Sequence, residues 1–213
     1  MSPSTIDIDP DGELIIHLGD ESTGISHSTA SVGTNPDVKL DQTAAHKGDA
    51  TFDSAVQLRV SMKHILLACR RAKTVFGGAF QESKPEADGS HHWRLGPYFD
   101  SKAFITVMSI IHGHTREIPD QVSLSMLAAI SAVTDDLQCH DAVWFIAKLW
   151  LRKLHGTLSV TTPDLPKWIL VSFVFHERDM FRSVTRVAIL HSSGAITTGD
   201  LPIFPKIVGT SRL

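Results

Sequence analysis

The chain predicts an α+β fold, a small sheet built in the first half followed by helices to near the end. Three observations carry this. Apolar residues alternate in two short segments, 14–18 and 56–60, the two-residue period of a strand with one buried face. From about Ser101 the apolar positions recur every three to four residues, the period of amphipathic helices. Finally, 213 residues with 42% apolar content and a mean hydropathy near zero suit one unit with a sizeable core rather than two full domains.

Residues 1–10 are short and acidic and read as an N-terminal tail. Leu14, Ile16 and Leu18 then alternate with Glu13, Ile15 and His17 between Gly12 and Gly19, which makes the first strand. Residues 20–54 are dominated by Ser, Thr, Gly and Asp, with Val38, Leu40 and Phe52 isolated. They offer too little apolar surface to offset the entropy of ordering, so a disordered insertion is expected. Val56, Leu58 and Val60 resume the alternation and predict the hairpin partner of the first strand. Ser61 is placed to cap a helix with Met62, Ile65, Leu66 and Cys69 at helical spacing, and a second short helix runs from Arg71 to Phe76. Gly77 and Gly78 end it. Turn residues 83–90 lead to a third strand, 91–95, that stops at Gly96-Pro97.

Asp100 or Ser101 caps the first long helix, where Phe104, Met108 and Ile111 share a wide apolar face with Phe99, Ala103 and Val107 as far as Gly113. Ser123 caps the next, 124–137. After a break at Cys139-His140-Asp141, Val143, Ile146, Ala147, Trp150 and Leu154 mark another that stops at Gly156. The run Trp168–Phe175 has the composition of a buried strand. Asp164 followed by Pro166, a helix-start signal, favours a helix, as does the spacing of Leu165, Trp168, Ile169, Ser172 and His176. A last helix runs from Met180 to His191. Residues 156–192 thus form a C-terminal helical extension, and 193–213 a tail with Gly, Pro and Thr punctuation, expected on the surface.

Charge and composition exclude several function classes. Twenty Lys and Arg against 23 Asp and Glu leave a net charge of −3, with no basic field for a phosphate backbone, so no nucleic acid is expected. No apolar run approaches the roughly 20 residues a membrane span needs, so no membrane role is expected either. Two cysteines are too few for a disulfide scaffold, and the acidic start lacks the basic and apolar pattern of a secretory signal. These predict an intracellular location, cytoplasmic or nuclear.

Twelve histidines raise the question of metal or catalytic chemistry, chiefly at His91-His92, at His112 and His114, and at Cys139-His140. None has the local spacing that brings three or four donors onto one ion. The glycine-flanked serines, as in Asp88-Gly89-Ser90-His91, lie in turn-like sequence without a strand-to-helix elbow, and Cys69 and Cys139 read as packed small hydrophobes. Asp135 and Asp136, adjacent on a helix, point about 100° apart. Gly77-Gly78 lacks the Lys and Ser or Thr of a phosphate loop. No catalytic residue, cofactor or metal is therefore predicted. An enzyme whose His and Asp groups assemble only in three dimensions stays open as the alternative.

Residues 60–69, Val-Ser-Met-Lys-His-Ile-Leu-Leu-Ala-Cys, followed by Val75-Phe76-Gly77-Gly78-Ala79-Phe80-Gln81-Glu82, resemble the run in fungal BTB/POZ proteins where a strand passes into a helix pair. The resemblance extends through Leu95, Phe104, Ile110-Ile111-His112-Gly113, Ile118-Pro119 and the stretch from Leu137 to Leu151, and covers about residues 11–192. Cys69 departs from a usual serine, and Ala72 from a large aromatic, which implies looser packing there or compensation by Trp93 or Phe76. The resemblance implies a small three-stranded sheet flanked by a helical bundle over residues 11–155, with the helical extension beyond. It also implies a non-enzymatic protein-protein interaction module with protein partners, by weak self-association or by engaging a cullin scaffold as a ubiquitin-ligase adaptor. The partner-binding surface expected on that basis comprises His112, His114, Arg116 and Glu117. The hydrophobic-x-Glu pattern of cullin contacts is not clearly reproduced between Ile110 and Glu117.

Overall fold

The computed structural model describes residues 4–19, 56–96, 98–155, 164–191 and 201–203. The insertion expected at 20–54, the helix stop at Gly156 and most of the 193–213 tail lie outside these residues. The architecture is α+β. Its strands are β1 (Ser4–Asp7), β2 (Leu14–Leu18), β3 (Val56–Val60) and β4 (His91–Leu95). Its α-helices are α1 (Met62–Ala68), α2 (Arg70–Phe76), α3 (Ser101–Ile111), α4 (Leu124–Leu137), α5 (His140–His155), α6 (Leu165–Val174) and α7 (Arg178–His191).

The sheet has four strands in the order β1-β3-β2-β4, not three. β2 and β3 pair antiparallel with Leu14 opposite Val60, the expected hairpin relationship, and β4 adds parallel to β2 with Ile16 opposite Trp93. The extra strand is β1, inside the segment read as a tail. It pairs parallel to β3, Ile6 opposite Leu58, and Ile8 just beyond it is buried. Gly12 then lets the chain turn back beside β3, since a Cβ there would lie 2.4 Å from the Val60 carbonyl oxygen.

Leu14, Ile16, Leu58, Val60, Trp93 and Leu95 line the sheet face that meets the helices. Ile65, Phe104 and Met108 of α1 and α3 belong to the same core, as does Trp150 of α5, which packs with α3 and α4; all four are buried, while Ile111 is only half-buried. Ala72 is buried without an aromatic ring of its own. Phe76, at the end of the same helix, meets Trp93 of β4 edge-on at 5.5 Å. Trp168–Val174 is helical, as Asp164 and Pro166 indicated. α6 is apolar nearly all round because it packs between α4 and α7, so the extension shares one continuous core with the rest of the chain.

Three helices close with the same device. Behind a residue in the left-handed conformation, one N–H reaches back five residues and its neighbour three. At α3 the residue is Gly113 (φ +75°), with His114 N–H on Ser109 O and Gly113 N–H on Ile110 O. At α4 it is Gln138 (φ +53°), and at α6 it is His176 (φ +58°). The break between α4 and α5 therefore falls at Gln138, and Cys139 already accepts the first backbone bonds of α5, one turn earlier than the sequence indicated.

Candidate functional site

The four residues expected to meet a partner sit in the turn after α3. His112 closes that helix, and both its ring nitrogens are used inside the fold. Nδ1 donates to the Met108 carbonyl at 2.8 Å, and Nε2 accepts the Ser61 backbone N–H at 3.1 Å. That pattern requires the neutral Nδ1–H tautomer. Burial also pushes the His112 pKa below its ordinary value. His64 lies against the ring, centroids 5.0 Å apart. His114 is half-exposed and pairs with Glu117 at 3.6 Å, and Arg116 and Glu117 are exposed. The structure thus leaves Arg116, Glu117 and part of His114 facing solvent, and commits His112 to joining α1 and α3.

A second cluster lies on the other face of the sheet. His17 Nε2 and His92 Nδ1 are 2.8 Å apart, and His92 Nε2 lies 3.1 Å from an Asp88 carboxylate oxygen. A hydrogen bond from the Ser90 N–H, ahead of His92, holds the Asp88 carboxyl below the usual carboxylate range. Beside it, Arg94 donates to Glu86 at 2.7 Å, which lowers that carboxyl too. Two imidazoles and a carboxylate in line can pass a proton or set a tautomer. Among the described residues no group of His, Cys, Asp and Glu has the geometry to hold a metal ion.

A groove of about 810 Å³ lies between the end of β4, the start of α3 and the outer face of α4. Ala129 and Ala132, three apart on α4, supply small side chains where larger ones would fill it, and Leu95 and Phe99 complete an apolar floor. Asp100 stands at the mouth, where its carboxylate caps α3 by accepting the Ala103 N–H at 2.8 Å. On the rim Arg71 is ion-paired with Asp136 and lies 5.8 Å from the Trp93 ring centroid. The remaining wall is Leu201-Pro202-Ile203 from the C-terminal tail. Leu201 and Ile203 pack against the core, with Pro202 exposed between them.

Sequence reasoning missed this groove. Its signals were present but weak: Ala129 and Ala132 look like ordinary helix formers, and Leu-Pro-Ile looks like tail punctuation. Among the described residues, no helix is long and apolar enough to cross a membrane. No protein-family model matches the chain, and neither a curated protein nor a solved structure matches it, so any function must be argued from the side chains themselves.

Proposed function

We propose that the chain is a non-enzymatic protein-interaction module of BTB/POZ type. The observation that carries this reading is the groove, a largely apolar concavity with charged residues at its margins, lined by helices, a strand end and residues 201–203. The succession β2, β3, α1, α2, β4 and then long helices supports the family resemblance, as it is the order of elements the resemblance implies. A cytoplasmic or nuclear location fits the same reading, and so does weak self-association. Cullin engagement is a narrower branch, resting on the exposed Arg116 and Glu117.

The His17–His92–Asp88 alignment favours a second reading, an enzyme built on dispersed His and Asp groups. Affinity capture of the tagged full chain from its own cells, read by mass spectrometry, separates the two. The module reading expects a reproducible partner set that survives His92→Ala. A chain that captures nothing above a tag-only control overturns it.

A further inference from the structure

We propose that the outer face of α7 is a docking surface for an acidic helical segment of a partner protein, held by Arg178, Arg182 and Arg186. This rests on the interaction-module reading and names the chemistry of the partner.

The three arginines follow one another at four-residue steps and Ile189 comes three residues later, so the four share one stripe that runs about 16 Å along the helix. All four side chains are exposed. The opposite side of α7 is already committed to the core. Val184 and Ala188 are buried there, and the Phe181 ring lies 6.2 Å from that of Phe173 on α6.

The fold gives no reason for this stripe. Like charges at four-residue spacing repel and weaken a helix, where an alternating carboxylate would strengthen it. Arg178 is also the first residue of α7, at the positive end of the helix dipole, where a cation is disfavoured. Asp179 is the single acidic residue of the helix, and among the described residues neither it nor any of the three arginines belongs to an ion pair. The imbalance extends to the surrounding sequence: residues 142–191 hold seven Lys and Arg against three Asp and Glu, while 1–141 hold 11 against 19. An acidic chain thus presents one basic helix face whose charges are unanswered within it.

Charge complementarity selects the occupant. A guanidinium binds a carboxylate through two parallel N–H···O bonds, and carboxylates four residues apart on a partner helix would meet the three arginines in step. Exposed Ile189 adds an apolar contact at the end of the stripe, which calls for an apolar residue beyond the carboxylates. An anionic membrane is the poorer match, because a helix lying in a lipid interface needs its apolar face free and that of α7 is packed on α6. Nucleic acid is poorer too, since three charges on a chain of net charge −3 make a short footprint against a continuous phosphate backbone.

The test uses the full chain and a fluorescein-labelled, alanine-based helical peptide with Glu at every fourth position and Leu near its end, titrated by anisotropy at about 50 mM salt. The Arg178→Gln/Arg182→Gln/Arg186→Gln chain should bind at least about tenfold more weakly, with a melting temperature equal to or above that of the wild type because the repulsion is gone. Lys63→Gln/Lys73→Gln/Lys84→Gln removes the same charge from other exposed positions and should change binding by less than about twofold. A peptide of the same composition with its Glu residues scattered around the helix should bind more weakly than the matched one. Equal losses in the two variants, no binding by the wild type, a lower melting temperature in the arginine variant, or tighter binding to phosphatidylserine vesicles or duplex DNA than to the peptide overturns the proposal. Partner capture from cells is measured separately, so a chain that keeps its partner set but ignores the peptide would lose this inference and keep the module reading.

Discussion

The backbone N–H of Ser61 donates to Nε2 of His112 across 3.1 Å, joining the N-cap of α1 to the end of α3 through one imidazole ring. The other ring nitrogen donates to Met108, so a second proton would set an N–H against an N–H. His64 and His114 add positive charge nearby when protonated, and Asp9 acts in the opposite sense. The fold therefore favours the neutral ring.

A pH dependence follows. With the folded pKa of His112 below the ordinary value of 6.5, the unfolded chain binds more protons in the interval between the two. This contribution to stability is complete above about pH 6.5 and declines as pH falls through that interval. In His112→Gln the amide oxygen can still accept from Ser61, at a cost of about 1 kcal/mol near neutrality for poorer geometry. Urea midpoints between pH 7.5 and 5.5 should fall less steeply in that variant than in the wild type. Parallel slopes would show that His112 does not titrate with folding.

Phe104 is fully buried where α3 meets the sheet, and its ring lies 5.7 Å from that of Phe99. Phe104→Ala should cost about 3–5 kcal/mol through lost transfer energy and a cavity. Chemical denaturation at neutral pH measures it, and a variant as stable as the wild type would mean that α3 does not face the core.

Cys69 and Cys139 are both buried and free. Hydrogen bonding with the Cys69 thiol and burial together push the Cys139 thiol well above its ordinary pKa, so it stays protonated at neutral pH and is a poor nucleophile. Both should resist a disulfide reagent such as dithiobis-nitrobenzoate in the native chain and react stoichiometrically after unfolding. Fast labelling of either thiol in the native state would contradict this.

Gln138 holds a left-handed conformation (φ +53°, ψ +49°) with its side chain exposed. A side chain in that region carries a steric penalty of roughly 1–2 kcal/mol that glycine avoids, offset in part by glycine's larger unfolded-state entropy. Gln138→Gly should therefore stabilise the chain by about 0.5–1 kcal/mol, seen as a higher melting temperature. A lower one would mean that the side chain contributes more than its exposure indicates.

Most elements were legible because their signals are local. Val56, Leu58 and Val60 alternate within five residues, Ser123 and Asp100 cap their helices where the apolar period begins, and Asp164 with Pro166 decided helix over strand for Trp168–Val174. Neighbours in sequence carried that information. β1 was not legible: Ser-Thr-Ile-Asp has one large apolar residue and no period, and it becomes a strand only because β3 offers a free edge to pair with.

The sequence by itself determined the α+β class, the helix boundaries to within a few residues and the apolar faces that form the core. Only the tertiary structure decided that His112 belongs to the fold rather than to an open surface, because Ser61 lies 51 positions away and its N–H fixes the ring from outside the helix. The same holds for the groove, whose walls come from β4, α3, α4 and the tail. The physical reason is range: periodicity and capping act over a turn or two of chain, whereas hydrogen-bond commitment and concavity are properties of surfaces that meet only when distant segments pack.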